Sequence, residues 1–492
     1  MRKTSCLALL SVWLLNAPVA DATEAAPSVA FAPCRLEGSA GLQAIAAECG
    51  SLSVPENYDA PQGLHIDLYV ARVRAVSQRA APDPLVVIAG GPGMASTDFY
   101  ASVAAAFARI RRERDIVVVD QRGTGQSNLL DCEFDEQDLL DPEAIDIGAL
   151  ARDCRDRLVE RADLTQYTTS VAVRDLETLR TALAYPQFNL YGVSYGTRVA
   201  QHYAKRYPGN ARTLILDGVI APSLVLGPNM ALDAEAALQR IFARCLAAAA
   251  CKGAYGDPTI DYRALWTTLD GKRVTVSLPD PTTGAERQLE FGRAHLSAVL
   301  RLASYDPSQA ALLPLALKQA HRDNNYRALA AQFLLISRSL DSVFAYGMHN
   351  SVACSEDAPA IDLAALPRDQ LTATHMGFKQ VEQLVTMCRE WPRGVVDEDF
   401  RAPLRSSAAA LLLSGGDDPV TPPVYATEAQ QAFTDSLHLI LPGFGHGQLS
   451  APCVDKIMAD FVAAGSARQL DVRCTDKLLP TPFFTSPAGP AP

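Results

Sequence analysis

The stretch Phe188-Asn189-Leu190-Tyr191-Gly192-Val193-Ser194-Tyr195-Gly196 constrains this chain more than any other. A strand-like run enters it, and a helix-like run from Thr197 to Tyr207 leaves it. Between them lies G-x-S-x-G. A serine at so abrupt a strand-to-helix turn takes a strained backbone, and the flanking positions must be small. Gly192 and Gly196 meet that demand. The turn lifts the Ser194 hydroxyl above a sheet edge and points the N-terminus of the following helix at it.

The surrounding chain supplies a sheet for this turn. Ser51 to Pro55 reads as a short strand, and His65 to Val73 alternates with near period two, as a half-buried strand does. Leu85-Val86-Val87-Ile88 ends in Gly90-Gly91-Pro92-Gly93, and Ala101 to Glu113 is helix-like. Ile116-Val117-Val118-Val119 is wholly apolar, as a central parallel strand is. It ends in Asp120-Gln121-Arg122-Gly123-Thr124-Gly125-Gln126-Ser127, a loop without the lysine of a phosphate-binding P-loop. Its charges are expected to brace the neighbouring loops. Val173, Leu176, Leu179 and Leu183 mark one helical face, and Thr213 to Leu216 is the next buried strand, ended by Asp217-Gly218. Strands alternating with helices predict a mostly parallel sheet with helices on both faces.

The alternation breaks near Pro222. From there to about Arg401 the pattern is mainly helical, with one hairpin between Val274–Ser277 and Arg287–Glu290. It resumes with Ala408 to Leu413, which ends at Ser414-Gly415-Gly416-Asp417-Asp418-Pro419, and with Leu437 to Leu441, which ends at Gly443-Phe444-Gly445-His446-Gly447. The expected organisation is a signal segment at 1–22, a first core part at 23–221, an inserted cap at 222–401, a second core part at 402–477 and a loose Pro-rich tail at 478–492.

Each special loop follows an apolar strand. In an open parallel sheet such loops gather at the carboxyl edge, where ligands bind. Serine, then acid, then histidine is the order of the α/β-hydrolase triad. The chemistry needs all three. A serine hydroxyl is a weak nucleophile without a base in reach, and His446 is the candidate base. A carboxylate must fix the imidazole tautomer, and Asp418 or Asp417 can do so, Asp418 being preferred. Two backbone N–H groups must hold the developing oxyanion: Tyr195, after the nucleophile, and Gly91, since Pro92 has no N–H to give. No metal or other cofactor is expected, because the chain has no C-x-x-C or H-E-x-x-H.

Net charge of -11 argues against nucleic acid and anionic membrane surfaces as partners. Arg2 and Lys3 precede an apolar run from Leu7 to Leu15, too short to span a bilayer, and Ala20-Asp21-Ala22 offers a cleavage site. No integral membrane segment is expected elsewhere. Removing Cys6 with that segment leaves cysteines in neighbouring couples: Cys34–Cys49, Cys132–Cys154, Cys245–Cys251, Cys354–Cys388 and Cys453–Cys474. Disulfides of that kind fit an exported protein, periplasmic or secreted. The acidic loop Cys354-Ser355-Glu356-Asp357 reads first as structural and second as a substrate contact.

With these residues set out, the chain resembles the secreted α/β-hydrolases of the prolyl aminopeptidase and tripeptidyl aminopeptidase group. Cys49-Gly50-Ser51-Leu52-Ser53-Val54-Pro55 is similar to that group's opening strand, and Gly90-Gly91-Pro92-Gly93 to its H-G-G-P-G turn, although Ala89 stands where histidine is usual. Asp120 to Ser127 matches D-x-R-G-x-G-x-S, and Asn189 to Thr197 resembles the nucleophile segment. Asp418-Pro419-Val420-Thr421-Pro422 and Gly445-His446-Gly447 resemble the acid and histidine loops, which favours Asp418 over Asp417. The resemblance implies an exported serine aminopeptidase acting on short peptides, without metal or cofactor, with Ser194, Asp418 and His446 catalytic. It implies cap acids that hold the substrate's amino group, for which Glu356 and Asp357 are the candidates. The alternatives are an exported carboxylesterase with the same triad and a non-catalytic binding protein on this fold.

Overall fold

Ile116–Val119 is buried at all four positions. Fully burying each such side chain contributes about 1.5–3 kcal/mol, and a strand apolar on both faces must lie inside a covered sheet. The computed structural model describes residues 28–38, 44–134 and 140–490. The expected signal segment lies outside the described residues.

The strands in chain order are β1 (Ala32–Glu37), β2 (Ala44–Pro55), β3 (His65–Val73), β4 (Leu85–Ile88), β5 (Ile116–Val119), β6 (Phe188–Val193) and β7 (Ala211–Asp217), then β8 (Val274–Pro279), β9 (Glu286–Phe291), β10 (Ala409–Gly415) and β11 (Ser436–Leu441), with a short pair, Phe484–Ser486 and Gly489–Pro490, near the end. Nine of them form one sheet, ordered β1-β2-β3-β5-β4-β6-β7-β10-β11. From β5 to β11 all neighbours are parallel. The antiparallel pairs lie at the other edge. Alternate positions of each strand enter opposite cores. Val86, Val117, Leu190, Leu214 and Leu412 face one, while Val87, Val118, Tyr191, Ile215 and Leu413 face the other. This is the mostly parallel α/β-hydrolase sheet expected from the alternation.

Three local differences from the sequence pattern have physical causes. β2 begins at Ala44 rather than Ser51. Its Ala-rich start has low strand propensity, but pairing with β1 and the Cys34–Cys49 disulfide hold it. The helix expected over Ala101 to Glu113 is instead Ser96–Val103 followed by two 3-10 turns. Its first turn is anchored early, because the Thr97 N–H donates to Asp120 Oδ1 at 2.9 Å. The tail is not loose through residue 490. Phe483 is buried in the same core as Phe242, Leu296 and Leu317, Arg244 lies over its ring, and the Tyr255 hydroxyl donates to Phe484 O at 2.7 Å. A Pro-rich sequence hid this because its buried anchors are few: Phe483 and Phe484, with Arg244 donating to Thr481 O at 3.3 Å.

Between β7 and β10 the described chain is helical apart from the β8–β9 hairpin. It builds a core of its own, around Leu238, Phe242, Leu296 and Leu317. A second excursion joins it: the helix Ile147–Leu158, pinned by Cys132–Cys154, lies along the helix Lys379–Glu390, and Arg155 donates to Glu390 O at 2.6 Å. The other three disulfides are Cys245–Cys251, Cys354–Cys388 and Cys453–Cys474, so all five expected couples are bonded.

Candidate active site

β6 ends at Val193 and the helix Tyr195–Arg206 begins two residues later, leaving Ser194 alone at the turn with φ 55° and ψ -122°. That conformation costs on the order of 1–3 kcal/mol for a non-glycine residue. The small neighbours are obligatory. A Cβ on Gly192 would lie 2.2 Å from Gly196 O, and one on Gly196 would lie 2.5 Å from Ile88 O. The Ser194 N–H donates to Asp217 O at 2.8 Å, tying the turn to the end of β7.

The turn after β4 lies directly against the serine, since a Cβ on Gly90 would sit 3.1 Å from Ser194 Cβ. Gly91 follows with φ 110°. Tyr195 is the first residue of its helix, and first-turn N–H groups have no intrahelical acceptor. Neither the Gly91 nor the Tyr195 N–H makes a hydrogen bond among the described residues.

Asp418 and His446 meet. Nδ1–H of His446 donates to Asp418 Oδ2 at 2.8 Å. The rest of that carboxylate is satisfied: the Val420 and Thr421 N–H groups donate to Oδ1, each at 2.8 Å, and the Thr421 hydroxyl donates to Oδ2 at 2.9 Å. Asp417 points elsewhere, toward Arg244 at 3.3 Å and Arg240 at 3.7 Å. Between the two candidate acids, the chain brings Asp418 to the imidazole. His446 in turn lies against the end of β7. A Cβ on Gly218 would be 3.0 Å from its Cε1. Ser194 bonds to Asp217, so the serine and the imidazole flank one turn, Asp217-Gly218.

The electrostatics of the pair follow from burial and proximity. Burial alone pushes the His446 imidazolium down, but the Asp418 charge and hydrogen bond outweigh it and hold His446 above its ordinary value. Burial likewise pushes Asp418 up, and His446 with the two backbone hydrogen bonds from Val420 and Thr421 holds it below the ordinary carboxylate range. Asp217 is a site residue that sequence reasoning treated only as a strand end. Burial pushes it up to about 6, while it accepts from the Tyr191 hydroxyl and the Gln448 N–H. Its signal was the Asp-Gly at the end of an apolar run, the same signal that marked the other loops.

Glu356 and Asp357 are buried behind the elbow helix, and they are not a free carboxylate pair. Arg198 donates to both oxygens of Asp357 at 2.9 Å and to Glu356 Oε2 at 3.3 Å. Glu356 also accepts from the Thr169 N–H at 2.6 Å and the Thr169 hydroxyl at 3.0 Å. As they stand, both are committed to Arg198 rather than presented to a ligand. The Thr169 hydroxyl also meets the Tyr195 hydroxyl at 2.7 Å, which links the acids to the residue after the serine. The Asp120 loop braces its surroundings: Asp120 accepts from Thr97 and Gln126, Gln121 donates to the Tyr195 hydroxyl, and buried Arg122 pairs with Asp175 at 2.6 Å. Among the described residues no three His, Cys, Asp or Glu side chains gather as metal ligands would.

Residues 83–244 match the family described as alpha/beta hydrolase fold, and residues 373–474 match the one described as TAP-like protein. The chain is 31% identical to tripeptidyl aminopeptidase of Streptomyces lividans over 192 residues, which span 36% of each protein. That match covers little more than a third of the relative's own length. Over 93% of this chain and 92% of the other, it is 27% identical to carboxylesterase B of Mycobacterium tuberculosis. It is 24% identical to serine protease Hip1 of the same species over 91% of each chain. Among solved structures, proline iminopeptidase of Mycobacterium smegmatis aligns at 16% identity over 84% of this chain and 98% of that one, with a TM-score of 0.38.

Proposed function

We propose, on the premise of its α/β-hydrolase fold, that the chain is an exported serine peptidase that cleaves short peptides from their N-terminus through an acyl-enzyme. The observation that carries the proposal is the His446 ring, fixed by Asp418 at 2.8 Å on the far side of the turn that holds Ser194. In this mechanism His446 Nε2 takes the Ser194 proton as Oγ attacks the scissile carbonyl. Asp418 holds the tautomer and stabilises the imidazolium. The Gly91 and Tyr195 N–H groups receive the oxyanion. The imidazolium gives its proton to the leaving amine, and water, deprotonated by the same ring, releases the acyl group. Five disulfides support export, and among the described residues no helix is long and apolar enough to cross a membrane.

Peptide specificity is supported by the tripeptidyl aminopeptidase and serine protease relatives. The likeness to carboxylesterase B favours a second reading, ester hydrolysis by the same residues. A fluorogenic panel separates the two: aminoacyl and tripeptidyl amides with free amines, their N-acetylated forms, and acyl esters. Free-amine amides are expected to be turned over best. Equal turnover of acetylated amides would remove the aminopeptidase claim, and turnover confined to esters would establish the esterase. Running the panel on Glu356→Gln tests whether that acid governs the amine preference; if the preference is unchanged, the amine is recognised elsewhere. Failure of a fluorophosphonate to label Ser194 in folded protein would remove the enzyme altogether.

A further inference from the structure

The helix Arg293–Ala303 ends directly on the histidine loop. The His446 N–H donates to Tyr305 O at 2.8 Å, and the Tyr305 ring packs edge-on against the imidazole with centroids 5.1 Å apart. Arg301 stands four residues before Tyr305. Arg301 is in the last turn of that helix, which leads directly into the Tyr305 contact with His446.

This arginine differs from those around it. Arg240 and Arg244 are answered by Asp417, and Arg198 by Glu356 and Asp357. Arg301 forms no ion pair among the described residues. Among the described residues its one side-chain hydrogen-bond contact is from an Nη to Met230 Sδ at 3.1 Å, a weak acceptor; its buried Nε has no partner, as holds for Arg240 Nε and one Nη of Arg244, but those two arginines have Asp417 to answer their charge. On the cap helix Met230–Ala247 that carries Met230, Asp233 accepts instead from the Tyr425 hydroxyl at 2.6 Å. A guanidinium cannot shed its charge, and leaving buried donors unanswered is unfavourable. The side chain is only half-buried, so a ligand can reach it.

Its charge reaches both walls of the cleft. Burial is the larger influence on His446 and on His349, but Arg301 further lowers the proton affinity of each. His349 Nδ1 is bonded to Pro92 O at 3.2 Å, next to the Gly91 turn.

We propose that Arg301 is a substrate-binding residue that receives a carboxylate of the peptide, its C-terminal carboxylate or an acidic side chain, by a paired N–H···O contact. A fork of donors matches a carboxylate bidentately. The inference rests on the peptidase reading for the identity of the ligand, and the experiment separates the two. Binding of tetraalanine, of tetraalanine amide, and of the amide with one alanine replaced by glutamate would be measured calorimetrically on Ser194→Ala protein, with turnover of the same peptides by the wild type measured alongside. The carboxylate-bearing peptides are expected to bind about tenfold to a hundredfold more tightly than the uncharged amide. Preference for tetraalanine alone assigns the C-terminus, and preference for the glutamyl amide assigns a side chain. Arg301→Gln in the same background should bring the ratio close to one, while Arg301→Lys should retain part of it. Equal binding of charged and uncharged peptides, absence of binding by all three, or a preference that survives Arg301→Gln would overturn the inference. Binding with the preference intact but no turnover by the wild type would instead defeat the peptidase reading alone.

Discussion

Two buried carboxylate clusters flank the elbow, and they differ in the cation that answers them. Asp418 is answered by His446, while Glu356 and Asp357 are answered by Arg198. Imidazole exchanges its proton near neutrality, and guanidinium does not. The first cluster can therefore relay a proton. The second can only hold, and its position says what it holds. Arg198 lies on the elbow helix one turn past Ser194, and Cys354 beside the acids is bonded to Cys388. The arginine cluster thus fastens the nucleophile's helix to the segment that carries the cap helix Lys379–Glu390.

The largest effect that separates the clusters is expected from Asp418→Asn. The amide presents the wrong partner to His446 Nδ1 and cannot stabilise the imidazolium. The kcat/KM value should fall by on the order of a thousandfold to ten-thousandfold, with the thermal midpoint little changed. Asp417→Asn, one residue away but turned toward Arg244, should cost less than about tenfold on the same assay. Equal losses from the two would dissolve the distinction between a relaying acid and a bracing one.

Arg198→Met should act on stability rather than chemistry. It leaves Glu356 buried without its cation and Asp357 with Arg401 alone, at 3.6 Å; breaking a buried pair in this way typically destabilises by about 3–5 kcal/mol. The sign with pH follows. Burial already pushes Glu356 up to about 7 with Arg198 in place. Without the arginine that carboxyl is raised further, and protonation removes the uncompensated charge. The deficit in urea unfolding should therefore be greatest well above pH 7, shrink as pH falls to about 7, and change little below it. A deficit independent of pH would mean that Arg198 contributes by packing alone.

Much of this was legible in the sequence because strands, turns and loops write themselves locally. Gly192 and Gly196 announce a turn that admits no Cβ, and Ile116 to Val119 announce a central strand. Neighbouring cysteines paired as their spacing suggests. What the sequence does not carry is direction. Asp417 and Asp418 are adjacent and chemically alike, and only the fold turns one toward His446 and the other toward Arg244. The Glu356-Asp357 pair looked available because Arg198, its partner, lies about 160 residues earlier on a helix whose spacing signals only amphipathicity. Arg301 has no motif at all, and its meaning lies in the partners it lacks. The docked tail is anchored by two phenylalanines and by Arg244 on Thr481 O, in a stretch whose prolines suggested disorder.

The subtlest contrast between the clusters is in the pH dependence of activity. His446 must be unprotonated to accept the Ser194 proton, so kcat/KM should rise as the imidazolium loses its proton. Burial alone would move that rise to lower pH, and Asp418 moves it the other way, with the net shift upward. The rising limb should therefore lie above about 6.5, the ordinary imidazole value. The residual activity of Asp418→Asn should rise at lower pH, because the charge that held the proton is gone while burial remains. Glu356→Gln should leave the limb where it is, since that acid answers Arg198 and not His446. The same shift has a consequence for folding. A folded imidazole raised above its unfolded value contributes stability that is fully present below the unfolded value and is lost as pH rises through the folded one. Wild-type protein should thus surrender that increment over the interval in which it gains activity, and Asp418→Asn should show neither change there. A limb that moves with Glu356→Gln as much as with Asp418→Asn would place both acids in one titrating unit.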